Sequence, residues 1–221
     1  MIKSIEYDSW QYDASQHSVI QRTSITRELA DNEILIQNAA AGINPVDYKF
    51  IQSNPLNWAS GHIPGVDGAG IIVSVGHNVA PELISCRVCY HAPLLKPGSF
   101  AQYTILNSNS VMMIPEEMSF SLAAAVPCPL LTAWQSAEKV PVNSGESVLV
   151  SGLGHEVALA AIHQFGEPLA ITQLMLAGEA LIKQIMTGDL ICPIPDTFSS
   201  EQLPQALLHS ENAHIKTVVT F

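Results

Sequence analysis

The chain has 221 residues, 48% of them hydrophobic, and 9 basic against 20 acidic side chains, a net charge of −11. With a mean hydropathy of +0.23, it can bury a sizeable core and does not have the composition of a disordered chain. The acidic balance argues against nucleic-acid backbones and anionic membrane surfaces as partners, since both need Lys/Arg patches. A phosphorylated cofactor is still allowed, because backbone N–H groups and one or two cations suffice to bind it.

Met1 to Trp10 are polar and mixed, without the apolar segment of a signal peptide. The longest nearly uncharged apolar stretch, Leu122–Trp134, has 13 residues and is broken by Pro127 and Pro129, too short to span a bilayer. Four cysteines do not make a disulfide framework, so a reduced, cytoplasmic setting is expected. The first half reads as β. Strands are predicted at Glu33–Gly42, Gly70–Gly76, Arg87–His91 and Phe100–Leu106, punctuated by Gly61, Pro64, Gly65, Gly68, Pro93, Pro97 and Gly98. Many short strands with Gly/Pro turns suggest a small barrel or sandwich. Near Pro115 the pattern changes. A Ser-capped helix is predicted over 119–126 and another over Leu130–Lys139. A buried strand at Val148–Ser151 then runs into a Gly152-Leu153-Gly154 turn and a helix over about His155–Gln164. The helix predicted over Ile171–Thr187 puts Leu174, Ala177, Leu181 and Ile185 on one face, with Gly188 placed to stop it. Lys216–Phe221 reads as a last strand.

Four segments carry a family resemblance. They are Ala40-Ala41-Gly42-Ile43-Asn44-Pro45-Val46-Asp47-Tyr48-Lys49; Ile63-Pro64-Gly65-Val66-Asp67-Gly68-Ala69-Gly70 with Val75-Gly76; Pro97–Tyr103; and Ala123–Pro127 with Leu131–Trp134, leading into Gly145 and Val148–Gly154. In order and spacing they resemble the medium-chain dehydrogenase/reductase superfamily, in its zinc-independent, quinone-reductase-like branch. The resemblance implies an α+β chain with a GroES-like β-barrel catalytic domain and an α/β Rossmann domain. It also implies hydride transfer from NADPH to a quinone, enone or carbonyl. Zinc-dependent members of that superfamily place a Cys where this chain has Asn44 and a His where it has Val66, so no catalytic zinc is expected.

The Rossmann part is short. From Ser147 to the end there are 75 residues, and the last 34, Gly188–Phe221, resemble the family's C-terminal return to the catalytic domain. About 40 residues are left for a domain that commonly takes about 100–150. The dinucleotide fingerprint needs a second strand ending in a ribose-binding acid about 20 residues beyond the glycines. That position is Leu174, in mid-helix, and bulky, acidic His155-Glu156-Val157 follows the glycines. The expected organisation is therefore a catalytic domain at 1–115, a truncated Rossmann segment at 116–187 with a joint near 154/155, and a return at 188–221. Such a chain is expected to bind NADPH poorly.

The resemblance places Asn44, Asp47 and Tyr48 at the catalytic cleft, with Tyr48 or a water as proton donor; the alternative is a polar turn with an Asp47–Lys49 surface pair. It implies cofactor contacts from Asn44, Thr132, Ser151, Gly152 and Gly154, with Thr132 otherwise an ordinary helix-start residue. The resemblance implies that His91 lies near the substrate; the alternative is a solvated or satisfied histidine. Cys86 and Cys89, at i and i+3 of a strand, point to opposite faces and have no second pair for zinc. His155-Glu156 lacks a second His four residues on, since position 159 is Leu, which excludes a metalloprotease helix. Ser151 does not sit in a nucleophile elbow. A small-molecule substrate is expected, and the resemblance, together with the apolar surface that a shortened Rossmann part would expose, implies self-association as a homodimer. The alternative function is a non-enzymatic GroES-like domain that binds an apolar ligand or a partner chain.

Overall fold

The computed structural model describes residues 4–139 and 168–221. The predicted strand at 148–151, the helix at 155–164, and Ser151, Gly152 and Gly154 lie outside those residues. Strand β3 (Glu33–Ile43) is the axis of the main sheet. It pairs antiparallel with β4 (Asp67–Val75) on one side; on the other, β6 (Tyr103–Asn107) takes its first half and β9 (Thr217–Thr220) its second. Beyond β4 come β5 (Arg87–His91) and β7 (Val111–Met113), and β8 (Asp196–Ser199) lies parallel to β9. The path is thus β7-β5-β4-β3-β9-β8 with β6 beside β3. The C-terminal strand therefore belongs to the sheet built by the N-terminal half.

A two-stranded ribbon, β1 (Glu6–Asp13) with β2 (Ser18–Ile25), packs alongside through the Ser9–Ala101 bridge and Trp10 N–H to Phe100 C=O at 2.8 Å. Sequence reading does not find it. Only Ser9, Tyr12 and Val19 of the ribbon are buried, so its solvated face carries polar residues and the period-2 apolar signal is weak. The predicted strand at 100–106 starts at Tyr103. Strand β4 starts at Asp67, three residues before the predicted Gly70. Gly68 reads as a turn, but a Cβ there would run into the Tyr90 ring of the neighbouring strand, so the glycine serves close packing inside a strand.

Helix α1 (Pro45–Ser53) follows β3, where a polar turn was the competing expectation. Helix α2 (Phe120–Ala125) is capped as predicted, Ser119 Oγ accepting the Leu122 N–H at 3.2 Å. Helix α3 (Pro127–Lys139) begins three residues before the predicted Leu130. Its two prolines fall in the first turn, where an N–H has no helical partner to lose. Helix α4 (Pro168–Thr187) buries Leu174, Met175, Gly178 and Ile182, a stripe rotated slightly from the predicted Leu174–Ala177–Leu181–Ile185. Gly178 sets this rotation by letting the helix close on Met112 and Leu131. Gly188 ends the helix at φ +81°. Helix α5 (Leu203–Asn212) precedes the last strand. One described segment, Leu169–Thr187, is long and apolar enough to cross a membrane by length and composition; it packs in the core through the buried residues just named.

The barrel interior is filled by Ile34, Ile36, Ile72, Val88, Tyr90 and Leu106. Tyr90 is the polar exception, and its hydroxyl donates to Asn38 Oδ1 at 2.7 Å while burial pushes its pKa up. A second cluster joins Met112, Ala124, Leu131, Leu174 and Ile182 between the barrel and α2–α4. Helix α2 reaches β3 because Gly42 has no side chain: a Cβ there would collide with the Ala124 carbonyl. This contact brings the end of β3 under the start of α3.

Candidate active site

At the end of β3 the chain turns at Asn44, the N-cap of α1, with φ −124° and ψ 159°. Asp47, three residues into the helix, turns back. Its Oδ2 accepts the Asn44 N–H at 2.8 Å and its Oδ1 accepts the Val66 N–H at 3.1 Å. One carboxyl thus ties the α1 start to the loop entering β4. Asp67 opens β4 and stands directly across from His91, which closes β5. Asp67 Oδ1 pairs with His91 Nδ1 at 2.8 Å. Its other oxygen accepts from Asn44 Nδ2 at 2.8 Å and from the Cys128 N–H, in the first turn of α3, at 3.1 Å.

The remaining member comes from the far end of the chain. Ile43 pairs with Thr217 across β3 and β9, which sets Lys216 beside Asn44. The Lys216 ammonium donates to Asn44 Oδ1 and lies 3.4 Å from Asp67 Oδ2. The Asp67 side chain is fully buried, His91 3% exposed and Lys216 19% exposed. Burial alone would raise the pKa of Asp67, but Lys216, His91 and Asn44 outweigh it and hold the carboxyl below its ordinary value. Asp47 goes the other way. Burial, reinforced by the Asp67 charge, lifts it to about 7 against the backbone hydrogen bonds it accepts. Burial likewise pushes the Cys128 thiol up to about 12.

Three of the expected site residues therefore meet: Asn44, Asp47 and His91. Both ends of the Asn44 amide are engaged by Asp67 and Lys216, so it positions those groups. His91 is buried, with its Nδ1 held by Asp67. Tyr48 does not join them. It lies over α1 toward α5, lining a shallow groove of about 220 Å³ with His17, Ile51, Leu207 and Glu211. A second groove, of about 370 Å³, lies farther along α5. None of the cluster residues lines either groove, and the buried, charge-compensated cluster is the better candidate for chemistry. Thr132 sits in the second turn of α3, not at its start, and hydrogen-bonds the Cys128 side chain. Sequence reasoning missed Asp67, Cys128 and Lys216 as site residues. Asp67 and Cys128 fall in or beside the quoted family segments. Lys216 is 172 residues from Asn44 and carries no local signal.

For catalytic zinc the family's first two ligand positions do not fit. Asn44 offers an amide already engaged on both sides, and Val66 is a buried hydrocarbon. For NADPH, the stretch from Val140 to Glu167 holds Gly152 and Gly154 but also Glu146, Glu156 and Glu167, with no Lys or Arg. That stretch lies outside the described residues.

Residues 30–116 match the family model of the alcohol dehydrogenase GroES-like domain. Over 180 residues the chain is 32% identical to a 2-methylene-furan-3-one reductase of Solanum lycopersicum, covering 73% of this chain and 45% of that protein. Over 134 residues it is 35% identical to a quinone oxidoreductase of Sus scrofa, covering 59% of this chain and 40% of that one. The chain thus spans less than half the length of these curated relatives. The fold is similar to that of the quinone oxidoreductase from Coxiella burnetii, with a TM-score of 0.77 at 16% identity, over 98% of this chain and 100% of that one.

Proposed function

This chain belongs to the medium-chain dehydrogenase/reductase superfamily, and we propose that it carries the acceptor-binding half of a zinc-independent, NADPH-dependent reductase of quinones, enones or carbonyls. The observation that supports this reading is the buried Asn44–Asp67–His91–Lys216 cluster at the junction of β3, β4, β5 and β9. An acceptor of this class gains negative charge on its oxygen as it is reduced. Lys216 has three N–H groups, of which Asn44 and Asp67 engage two, leaving one donor for such an oxygen in a partly desolvated setting. Asp67 holds the ammonium in place, His91 and Asn44 hold Asp67, and Asp47 fixes the turn that carries Asn44. These are positioning roles, and Lys216 is the group that touches substrate. The reducing equivalents belong to NADPH in the parent activity, and no step through it is assigned to the acidic 140–167 stretch of this chain.

In this proposal the chain is a GroES-like domain at 1–115, a shortened nucleotide segment at 116–187 with an internal joint near 154/155, and a return at 188–221. It works without zinc, in the cytoplasm, on a small molecule. Leu169, Leu176 and Met186 are exposed on α4, and they support a homodimer through that helix. A second reading, a non-enzymatic domain that binds an apolar ligand, is favoured by the lack of any cation in 140–167. One experiment separates them. NADPH is added to the protein with a quinone or an enone, and absorbance loss is followed together with Trp58 and Trp134 fluorescence. Turnover that is lost in Lys216→Met supports the reductase. Acceptor-induced quenching with no NADPH effect supports the binding domain, and neither signal sinks both.

A further inference from the structure

Three elements converge on the groove that Tyr48 lines, away from the buried cluster. The tip of the β1–β2 ribbon brings His17, α1 brings Tyr48 and Ile51, and α5 brings Leu207 and Glu211. Ile51 is buried, so the groove has a hydrocarbon lining with ionisable side chains around it. At His17 the backbone is left-handed, with φ +49°, a conformation that glycine adopts more readily than histidine. The hydroxyl of Tyr12, itself fully buried, holds the ring there, 3.1 Å from Nδ1. Nε2 is then the ring nitrogen left for a ligand. Glu211 has no Lys, Arg or His partner among the described residues, and its one hydrogen bond, from Gln52 Nε2, is long at 3.4 Å. Its charge adds to burial in raising the pKa of Tyr48, so the phenol keeps its proton beside the carboxylate.

We infer that this groove binds a small organic monocation, an aralkyl ammonium, with its hydrocarbon body on Ile51 and Leu207 and its charge between the Glu211 carboxylate and the Tyr48 ring. Charge complementarity sets the sign. No Lys or Arg lines the groove, its carboxylate is unanswered by any cation, and the chain as a whole carries −11. The Tyr48 ring adds the attraction of an aromatic face for an ammonium. Size sets the rest. The volume of about 220 Å³ is roughly seven times the share of one water in the liquid, room for one aromatic ring with a short chain and too little for a nucleotide. None of Asn44, Asp67, His91 and Lys216 lines the groove, so this is a separate site. The inference does not depend on the reductase reading, and its test involves neither NADPH nor an acceptor.

The test is a fluorine NMR titration of the full chain with para-fluorophenethylammonium, set against the alcohol of the same shape, para-fluorophenethyl alcohol, and the anion para-fluorophenylacetate. The ammonium is expected to bind saturably, the alcohol about five-fold more weakly, and the anion not at all. Glu211→Gln is expected to weaken the ammonium about five-fold, to the level of the alcohol, and Glu211→Lys to abolish its binding. Tyr48→Leu is expected to weaken the ammonium and leave the alcohol unchanged. Glu82→Lys makes the same change in net charge at a residue that lines neither groove, and binding should survive it. Both glutamates are exposed, and near-ultraviolet circular dichroism checks that the variants are folded. Equal affinity for the ammonium and the alcohol overturns the proposal, as does a wild type that binds no ammonium. So does a Glu82→Lys variant that loses as much binding as Glu211→Lys, because the ammonium would then be drawn to an acidic protein at large and not to this groove.

Discussion

Asp47→Asn should remove a pH dependence of stability that the wild-type structure builds in. Burial lifts the Asp47 carboxyl from 3.8 to about 7, so the native state holds a proton there that the unfolded state has released. A carboxyl raised in the folded state contributes most below its unfolded pKa, and the contribution fades as pH rises, ending above about 7. Between those values one proton separates the two states, which sets a slope of nearly 1.4 kcal/mol per pH unit, and the loss from pH 5 to pH 8 comes to roughly 2.5 kcal/mol. His62 opposes this over part of the range: burial lowers its pKa to about 4, so its neutral native form becomes easier to reach as pH rises toward 6.5. The raw wild-type curve mixes the two, and the difference between wild type and variant isolates Asp47. Urea unfolding at half-unit steps from pH 5 to pH 8, followed by tryptophan fluorescence, gives that difference. The variant should be the less stable protein at pH 5, because an amide has one acceptor for the two backbone N–H groups of Asn44 and Val66. The gap should narrow by roughly 2.5 kcal/mol by pH 8. Parallel curves, within about 0.5 kcal/mol, would refute the reasoning.

Breaking the charge cluster from one side should cost more than breaking it from both. Asp67→Asn or Lys216→Met alone is expected to lose about 3 kcal/mol, the low end for a buried pair because Lys216 is partly exposed, and the double variant less than the sum; a urea double-mutant cycle measures it. Gly42→Ala forces α2 away from β3 at the Ala124 carbonyl and should lower stability by about 1–3 kcal/mol, seen as a melting-temperature drop of several degrees. Asn38→Ala strips the Tyr90 hydroxyl of one acceptor and the Ala101 carbonyl of its side-chain donor inside the barrel, for about 1–3 kcal/mol by the same assay. Cys128, with its thiol lifted to about 12, should react with iodoacetamide at pH 8 at least about ten-fold more slowly in the folded protein than in urea.

The sequence by itself determined the elements whose signal is local. Strands β3, β5 and the last strand are apolar runs bounded by turn residues, α2 announces itself by Ser119, and Gly188 marks where α4 must stop. The family segments also pointed to Asn44 and Asp47, and the family resemblance to His91, and those three do meet. The ribbon of β1 and β2 was illegible because its solvated face is polar, and α1 was hidden because a short helix that starts Asn-Pro-Val-Asp looks like a turn until Asp47 is seen reaching back to Asn44. Tertiary structure alone decided who joins the site. Tyr48 shares the helix of Asp47 but faces α5, a matter of helical phase. Lys216 enters only because β9 pairs with β3 in the register that sets Thr217 across from Ile43. A charge brought in by strand pairing from the other end of the chain leaves no periodicity and no motif, and at this site that charge is what holds Asp67 ionised.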